Sequence, residues 1–195
     1  MRALQAMSRL GPVAIDVPID LQNVGKAEFA ATVWQLYKRP VDQAFNAMPA
    51  LADRIGAPYA RMQAVLAHCA GSLRLGQELF ETYPKASLQV LELPWRNYKG
   101  VEERHHEARK SLCNKLKWCH FATDHDLDAI LCAATAGASQ EDRYCGSALE
   151  SLIASRLPGC GNCQPPRGYI LLRRTPPPID AIEEADFGDW MRARQ

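Results

Sequence analysis

The stretch VAIDVPI, residues 13–19, is a short apolar run that contains a single carboxylate, Asp16. Buried strands of parallel sheets are nearly continuous runs of Val, Ile and Ala, so an acid within one requires a reason. Pro18 cannot donate to a sheet ladder and disfavours helix at Val17, so we expect the strand to end beside Asp16. Open α/β sheets bind ligands at this carboxyl edge, which makes Asp16 a candidate site residue. The alternative is an aspartate that caps the turn after the strand.

The composition is that of a globular domain. The 195 residues suffice for one domain with its own core, and 47% are hydrophobic and 23% charged. The net charge of +1 argues against binding nucleic acid by bulk attraction, but it allows a local basic groove. No stretch approaches the ~20 apolar residues of a membrane helix, and the first residues lack a secretory signal. We therefore expect a cytoplasmic protein with no membrane partner.

The seven cysteines are odd in number and scattered, which favours reduced thiols, most of them small core residues. The exception is Cys160-Gly-Asn-Cys163, whose spacing matches half of a zinc site. Zinc needs four ligands, so Cys145, or Cys119 with His120, would have to join the pair. A loop that merely holds two thiols is the alternative.

Two further strands are predicted, at residues 78–84 and 168–173. The second strand repeats the design of the first, with Glu81 set close to Pro84. Apolar spacing predicts helices over residues 1–10, 26–38, 62–75, 85–93, 101–118, 124–136 and 148–157. We assign residues 1–175 to one α/β domain and residues 176–195 to a proline-rich exit and an acidic amphipathic tail.

The helix over 124–136 begins with several acids. Thr123 is a natural N-cap, and acids in a first turn are favoured by the unpaired amides. Capping explains Asp128 less well, because this residue lies one turn inside an apolar helix. Asp124 and Asp128 are four residues apart and share a face. The pair His105-His106 lacks the spacing of a helical metal site, and we assign it no chemistry.

Four segments, in order, resemble the motifs of a family of uncharacterised proteins expected to be nucleases of the ribonuclease H-like fold. They are AIDVPIDL (residues 14–21), FETYPKASL (80–88) followed by Tyr98-Lys99-Gly100, DHDLDAILCAATA (124–136) and RGYILL (167–172). The similarity spans most of residues 12–173. It implies a ribonuclease H-like three-layer core in which carboxylates bind two divalent metals, Mg²⁺ or Mn²⁺, for phosphodiester hydrolysis.

The resemblance also implies residue roles. Asp16, Glu81 and Asp128 would be the catalytic acids, with Asp16, Asp124 and Asp128 as metal ligands. Glu81 would be either a ligand or an orienting group behind the ligands. Lys99 would contact substrate phosphate, although a surface lysine is the alternative.

Two features depart from that family. His125 occupies a position that is usually Asp, and it cannot act as a carboxylate. The family normally begins with three strands, the first carrying a leading aspartate, whereas this chain begins in the helix that follows them. We therefore expect a core that lacks its first three strands and a protein that is weakly active or inactive as a nuclease.

A sheet without those strands exposes the edge of the residue 13 strand. We expect that edge to be completed by about forty residues encoded upstream, or covered by a second copy, a partner chain or the acidic tail. Two other functions remain open: a non-enzymatic interaction module on the same fold, and a zinc-stabilised nucleic-acid binder organised by Cys160 and Cys163.

Overall fold

The computed structural model describes residues 6–19, 38–48, 53–68, 74–116, 123–157, 170–174 and 176. These residues form a mixed α/β arrangement with an open four-stranded sheet. The elements in chain order are β1 (Val13–Ile15), α1 (Pro40–Ala44), α2 (Asp53–His68), β2 (Leu79–Thr82), α3 (Pro84–Val90), α4 (Glu103–Leu116), α5 (Asp124–Ala136), β3 (Arg143–Tyr144), α6 (Gly146–Arg156) and β4 (Ile170–Arg173).

The sheet has the strand order β1-β2-β4-β3. Strands β1, β2 and β4 are parallel, and β3 pairs antiparallel with β4. The carboxyl ends of the three parallel strands therefore lie at one edge, where α/β proteins place their sites. Within the described part of the chain, β1 is an outer strand, as the sequence predicts.

The buried apolar side chains form two clusters. One surrounds the sheet and includes Leu79 on β2, Leu171 on β4 and Leu149 on α6. The other joins α3, α4 and α5 and is formed by Leu88, Tyr98, Leu112, Cys113, Leu116, Leu127 and Leu131. Helix α5 packs against β1, and this packing brings residues of the second cluster to the edge of the sheet.

Most of the predicted elements are confirmed where the structure describes them. The three predicted strands correspond to β1, β2 and β4, and the helices predicted from residue 85 onward correspond to α3, α4, α5 and α6. Cys113 and Cys132 are buried free thiols, as expected. The helix over 26–38, the CxxC segment and the tail from residue 177 lie outside the described residues, and so does the start of the first helix, of which residues 6–8 are helical.

Three features differ from the sequence prediction. Helix α2 begins at Asp53, well before residue 62, and it contains Pro58. Proline in a helix interior removes a backbone hydrogen bond and usually ends or kinks the helix, but Pro58 lies inside this one. Arg74 and Leu75, which the prediction included, are not helical. Helix α1 and the two-residue strand β3 were not predicted, because elements this short carry too little periodicity to detect.

A buried ion cluster, formed by Arg39, Asp42 and Glu81, connects α1 to the sheet. The Arg39 guanidinium contacts both carboxylates, with Nη2 2.7 Å from Glu81 Oε1 and Nε 3.0 Å from Asp42 Oδ2. The Tyr83 hydroxyl donates to Asp42 Oδ1 at 2.6 Å. All three ionic side chains are almost completely buried. One cation therefore balances two carboxylates in a low-dielectric environment.

Burial raises both carboxyl pKa values, although Arg39 opposes the increase. Burial raises the pKa of Glu81 to about 7, against the opposing effects of Arg39 and the Ile19 amide. Burial likewise raises the pKa of Asp42 above its ordinary value. Because the folded protein binds a proton on Glu81 that the unfolded chain has lost by about pH 5, this group contributes stability at low pH. That contribution is lost as the pH rises through about 7.

Replacing Arg39 by Met is expected to lower the free energy of unfolding by about 3–5 kcal/mol, because it leaves two buried carboxylates without a cation. The loss should be smaller at pH 5 than at pH 8, since both carboxylates can then be protonated. Urea unfolding at the two pH values measures the difference. The matched control is Arg74→Met, which breaks the exposed pair with Glu78 and should change stability little at either pH. Equal losses in the two variants would show that the buried cluster has no special role.

Candidate functional site

Two of the predicted acids, Asp16 and Asp128, meet around one ammonium group. The Nζ atom of Lys99 lies 2.5 Å from Asp128 Oδ2 and 3.8 Å from Asp16 Oδ2. Asp16 follows directly after β1, and Asp128 lies in the second turn of α5, which packs against β1. Three residues that were singled out from separate segments therefore form one cluster at the carboxyl end of β1.

The start of α5 explains how Asp128 is directed to this cluster. The Thr123 hydroxyl accepts from the Asp126 amide at 3.2 Å, and the Asp126 carboxylate accepts from the Thr123 amide at 2.9 Å. This reciprocal cap confirms the predicted N-cap and uses the exposed acid Asp126. Asp128, two residues later, is on the face that packs inward, and its side chain is only 11% exposed. Capping thus accounts for Asp126 and not for Asp128.

Asp124 lies one turn before Asp128 and is half-buried. No direct contact between Asp124 and Lys99 is present, but the negative charge of Asp124 contributes to the raised pKa of both Lys99 and Tyr98. Asp124 is therefore an electrostatic neighbour of the cluster rather than a member of it.

Tyr98 anchors the cluster to the core. Its ring is almost completely buried in the second apolar cluster, and its hydroxyl donates to Asp128 Oδ1 at 3.1 Å. Burial, together with the nearby charge of Asp128, raises the pKa of this phenol well above its ordinary value. Tyr98 therefore stays protonated and holds one oxygen of Asp128, while the other oxygen faces Lys99.

The electrostatics of the two carboxylates differ. Although 39% of the Asp16 side chain is exposed, partial desolvation raises its pKa to about 6; the charge of Asp128 adds to this increase, and Lys99 opposes it. Burial alone would lower the pKa of Lys99, but the charges of Asp128 and Asp16 outweigh it and raise that pKa. Lys99 is thus a permanent cation at neutral pH, and its side chain remains 50% exposed.

A set of contacts from α4 holds the loop that carries Tyr98 and Lys99. The Arg109 guanidinium donates to the carbonyl oxygens of Tyr98 and Gly100 at 2.8 and 2.9 Å. The ring of His105 makes a 2.6 Å hydrogen bond to the Asn97 carbonyl. Both side chains are buried although α4 is rich in exposed charge. His105 and Arg109 therefore fix the backbone of the loop that carries the site residues.

From the sequence, no chemistry is assigned to His105 and Arg109 is not singled out, so this role is not predicted. The signal that could have revealed it is the spacing: His105 and Arg109 are four residues apart and therefore share one face of the helix. Leu112 and Leu116 continue that face into the core.

Glu81 lies outside the cluster formed by Asp16, Lys99 and Asp128. In the register of the sheet Glu81 pairs with Ile15, not with Asp16. Its side chain binds Arg39 and also accepts a hydrogen bond from the Ile19 amide at 2.7 Å. Glu81 therefore holds the segment that follows Asp16 without facing Lys99. Cys160 and Cys163, the candidate zinc ligands, lie outside the described residues.

Among the described residues, no group of three or more His, Cys, Asp and Glu side chains is arranged to hold a metal ion. The same part of the chain contains no helix that is long and apolar enough to cross a membrane.

A protein-family model described as "Protein of unknown function (DUF429)" matches residues 2–150. The chain belongs to the DUF429 family. The match includes β1, β2 and α5, and with them Asp16, Lys99 and Asp128. Neither a curated protein nor a solved structure matches this DUF429 chain.

Replacing Lys99 by Met is expected to raise the pKa of Asp16 further above about 6, because the ammonium that favours its charged form is removed. Carbon NMR titration of the aspartate carboxyls measures this pKa. Lys99→Arg keeps the charge and should leave it closer to the original value, and Lys110→Met, on the exposed face of α4, should leave it unchanged. An unaltered pKa in Lys99→Met would contradict the geometry of the cluster.

Gly100→Ala tests the clamp on the loop. Gly100 has φ +131°, and a Cβ atom there would lie 2.7 Å from the ring of His105. We expect a loss of about 1–3 kcal/mol in the free energy of unfolding from backbone strain and the clash. The matched control is Gly137→Ala, at a helical C-cap with ordinary space around it, which should be neutral or slightly stabilising. Equal behaviour of the two variants in urea unfolding would contradict this account.

Proposed function

We propose that this DUF429 protein is a metal-dependent phosphodiesterase of the nuclease type, built on a ribonuclease H-like core. The observation that carries the proposal is the convergence of Asp16 and Asp128 on one cation position at the carboxyl end of β1. Two carboxylates brought together from distant segments repel each other, and a cation held between them favours the charged form of both.

The order of elements supports the same proposal. A parallel strand supplies one acid and a following helix that packs on that strand supplies the other. This agrees with what the resemblance implies for the segments around residues 14–21 and 124–136. The outer position of β1 is where a ribonuclease H-like sheet would continue into further strands.

The donor set fits one hard cation. Carboxylate oxygens are the ligands that Mg²⁺ and Mn²⁺ prefer, and Mg²⁺ is commonly held by one or two carboxylates together with substrate phosphate and water. Asp16 and Asp128 would hold the ion, which when bound would polarise the phosphate and lower the pKa of an attacking water. The two carboxylates provide for one ion, and Asp124, one turn away, is the nearest further acid on the same helix.

Lys99 has two roles in this proposal. Without a divalent cation, its ammonium neutralises Asp16 and Asp128. When a divalent cation binds between these acids, the half-exposed Lys99 side chain can turn toward a phosphate. Tyr98 keeps Asp128 oriented throughout, since its hydroxyl binds the oxygen that does not face Lys99.

Glu81 serves as an orienting group behind the ligands. Its hydrogen bond to the Ile19 amide fixes the segment after Asp16, and Arg39 in turn fixes Glu81. Of the two roles that the resemblance implies for this residue, the contacts favour the orienting one.

A second candidate is a non-enzymatic interaction module. The specific observation in its favour is that Lys99 already satisfies both acids, as it would in a purely structural ion pair. The two candidates differ in whether a divalent cation can displace the ammonium.

Calorimetric titration with Mn²⁺ and Mg²⁺ separates these candidates. Asp16→Asn and Asp128→Asn should each weaken cation binding by tenfold or more, whereas Glu141→Gln, which changes an exposed acid, should not. Lys99→Met should bind the cation more tightly than the unmodified chain, because the competing ammonium is gone, yet cleave bis(p-nitrophenyl) phosphate more slowly.

Absence of cation binding in both the unmodified chain and Lys99→Met would exclude the phosphodiesterase and leave the structural ion pair. Binding that survives in Asp16→Asn and Asp128→Asn would place the cation elsewhere and would equally contradict the proposal.

A further inference from the structure

A second charged feature lies on the loop that leads into the site. Trp95 has two cations against its ring, with the Lys85 Nζ atom 5.1 Å and the Arg96 Cζ atom 4.5 Å from the ring centroid. The indole itself is half-buried and packs against the apolar cluster of α3, α4 and α5. The ring therefore holds one lysine from α3 and one arginine from the loop side by side on a fixed support.

Positive charge accumulates around this ring. Burial lowers the pKa of Lys85, and the charges of Lys38, Lys99 and Arg96 lower it further. Lys85 donates to the carbonyl oxygen of Asn46 at 3.0 Å, which leaves two of its N–H groups for another acceptor. We call Lys85, Trp95 and Arg96 the Trp95 cation cluster.

Neither cation of the cluster forms an ion pair with an acid in the part of the chain that the structure describes. None of the ion pairs there joins Lys85 or Arg96 to a carboxylate, and Glu92, four residues before Arg96, is exposed. Since the whole chain carries a net charge of only +1, this is a local concentration of positive charge rather than a general property of the surface.

The cluster is continuous with the carboxylate site. Arg96 and Lys99 belong to the same short loop, and Tyr98 between them is fixed by Asp128 and by Arg109. The Lys99 ammonium lies 5.5 Å from the centroid of the Tyr98 ring. The cations beside the Trp95 and Tyr98 rings therefore belong to the loop that also reaches Asp16 and Asp128.

We propose that the Trp95 cation cluster binds backbone phosphates of a polynucleotide, beside the phosphate placed at Asp16 and Asp128. This inference rests on the proposed function and names its substrate class: a nucleic-acid strand with several phosphates rather than a mononucleotide. A single phosphate at Lys99 would leave Lys85 and Arg96 without an anion. A chain of regularly spaced phosphates supplies one for each.

The alternatives fit the surface less well. An anionic membrane would favour aromatic side chains that can insert, whereas Trp95 is half-buried and already packs against the apolar cluster of α3, α4 and α5. An acidic peptide would meet the negative charges of Asp16, Asp124 and Asp128 next to the cluster. A phosphodiester strand is compatible with these acids, because a divalent cation bound between Asp16 and Asp128 would screen the phosphate from their negative charge.

The experiment measures binding apart from cleavage. Fluorescence anisotropy with a labelled single strand, its duplex and a mononucleotide is recorded in EDTA over a series of salt concentrations. The double variant Lys85→Gln/Arg96→Gln should bind the strands about tenfold more weakly, and its slope of log affinity against log salt should be shallower by about 1.4 for the single strand. Lys110→Gln/Lys115→Gln, which removes two exposed cations of α4, is the matched control and should behave like the unmodified chain.

Circular dichroism establishes that both double variants are folded, as expected for side chains outside the core. Equal affinity for the strands in the Lys85→Gln/Arg96→Gln variant and the control would overturn the inference. So would loss of binding to phosphatidylserine vesicles, without loss of binding to the strands, in that variant. Affinity for the mononucleotide equal to that for the strands would also overturn it.

The two proposals can fail separately. Cleavage of bis(p-nitrophenyl) phosphate with Mn²⁺, combined with no strand binding in EDTA, would refute the cluster and leave the phosphodiesterase. Strand binding that depends on Lys85 and Arg96, combined with no cation binding at Asp16 and Asp128, would refute the phosphodiesterase and leave a nucleic-acid-binding surface.

Discussion

The register between β1 and β2 decides where charged groups of this protein can meet. Ile15 pairs with Glu81, so these two side chains share a face of the sheet, and a residue one position later points the other way. Glu81 consequently meets Arg39 and α1, while Asp16 meets Lys99 and α5. A slip of one residue would exchange the two faces and place both acids in the wrong surroundings.

The two resulting ionic clusters differ in solvent access, and this difference separates their roles. Glu81 and Asp42 are fully enclosed with Arg39, where exchange of ions with solvent is blocked and the charges serve to connect α1 with the sheet. Lys99 is half exposed and Asp16 is 39% exposed, so the outer cluster is open to solvent. The link between the clusters is the hydrogen bond from the Ile19 amide to Glu81, which fixes the chain just after Asp16.

The loop between α3 and α4 contains most of the residues to which a function is proposed. It presents Tyr98 and Lys99 to the acids, and Trp95 and Arg96 to the surface, and it is held from behind by His105 and Arg109. Loops suit binding residues when a rigid scaffold fixes them. In this protein the buried face of α4 provides that scaffold, while its opposite face carries the solvated charges.

Much of the fold can be predicted from local sequence patterns. Apolar β-branched runs ended by proline predict β1 and β2, and the cap at Thr123 predicts the start of α5, because these signals depend only on neighbouring residues. Short elements such as α1 and β3, and the continuation of α2 through Pro58, depend on packing and are invisible to periodicity. For the site, local patterns singled out Asp16 and Asp128, and the resemblance to a family added Lys99. Their convergence, the turning of Glu81 toward Arg39 and the burial of His105 and Arg109 were decided only by the tertiary structure, because the face on which a side chain lies follows from strand register and helix packing between distant segments.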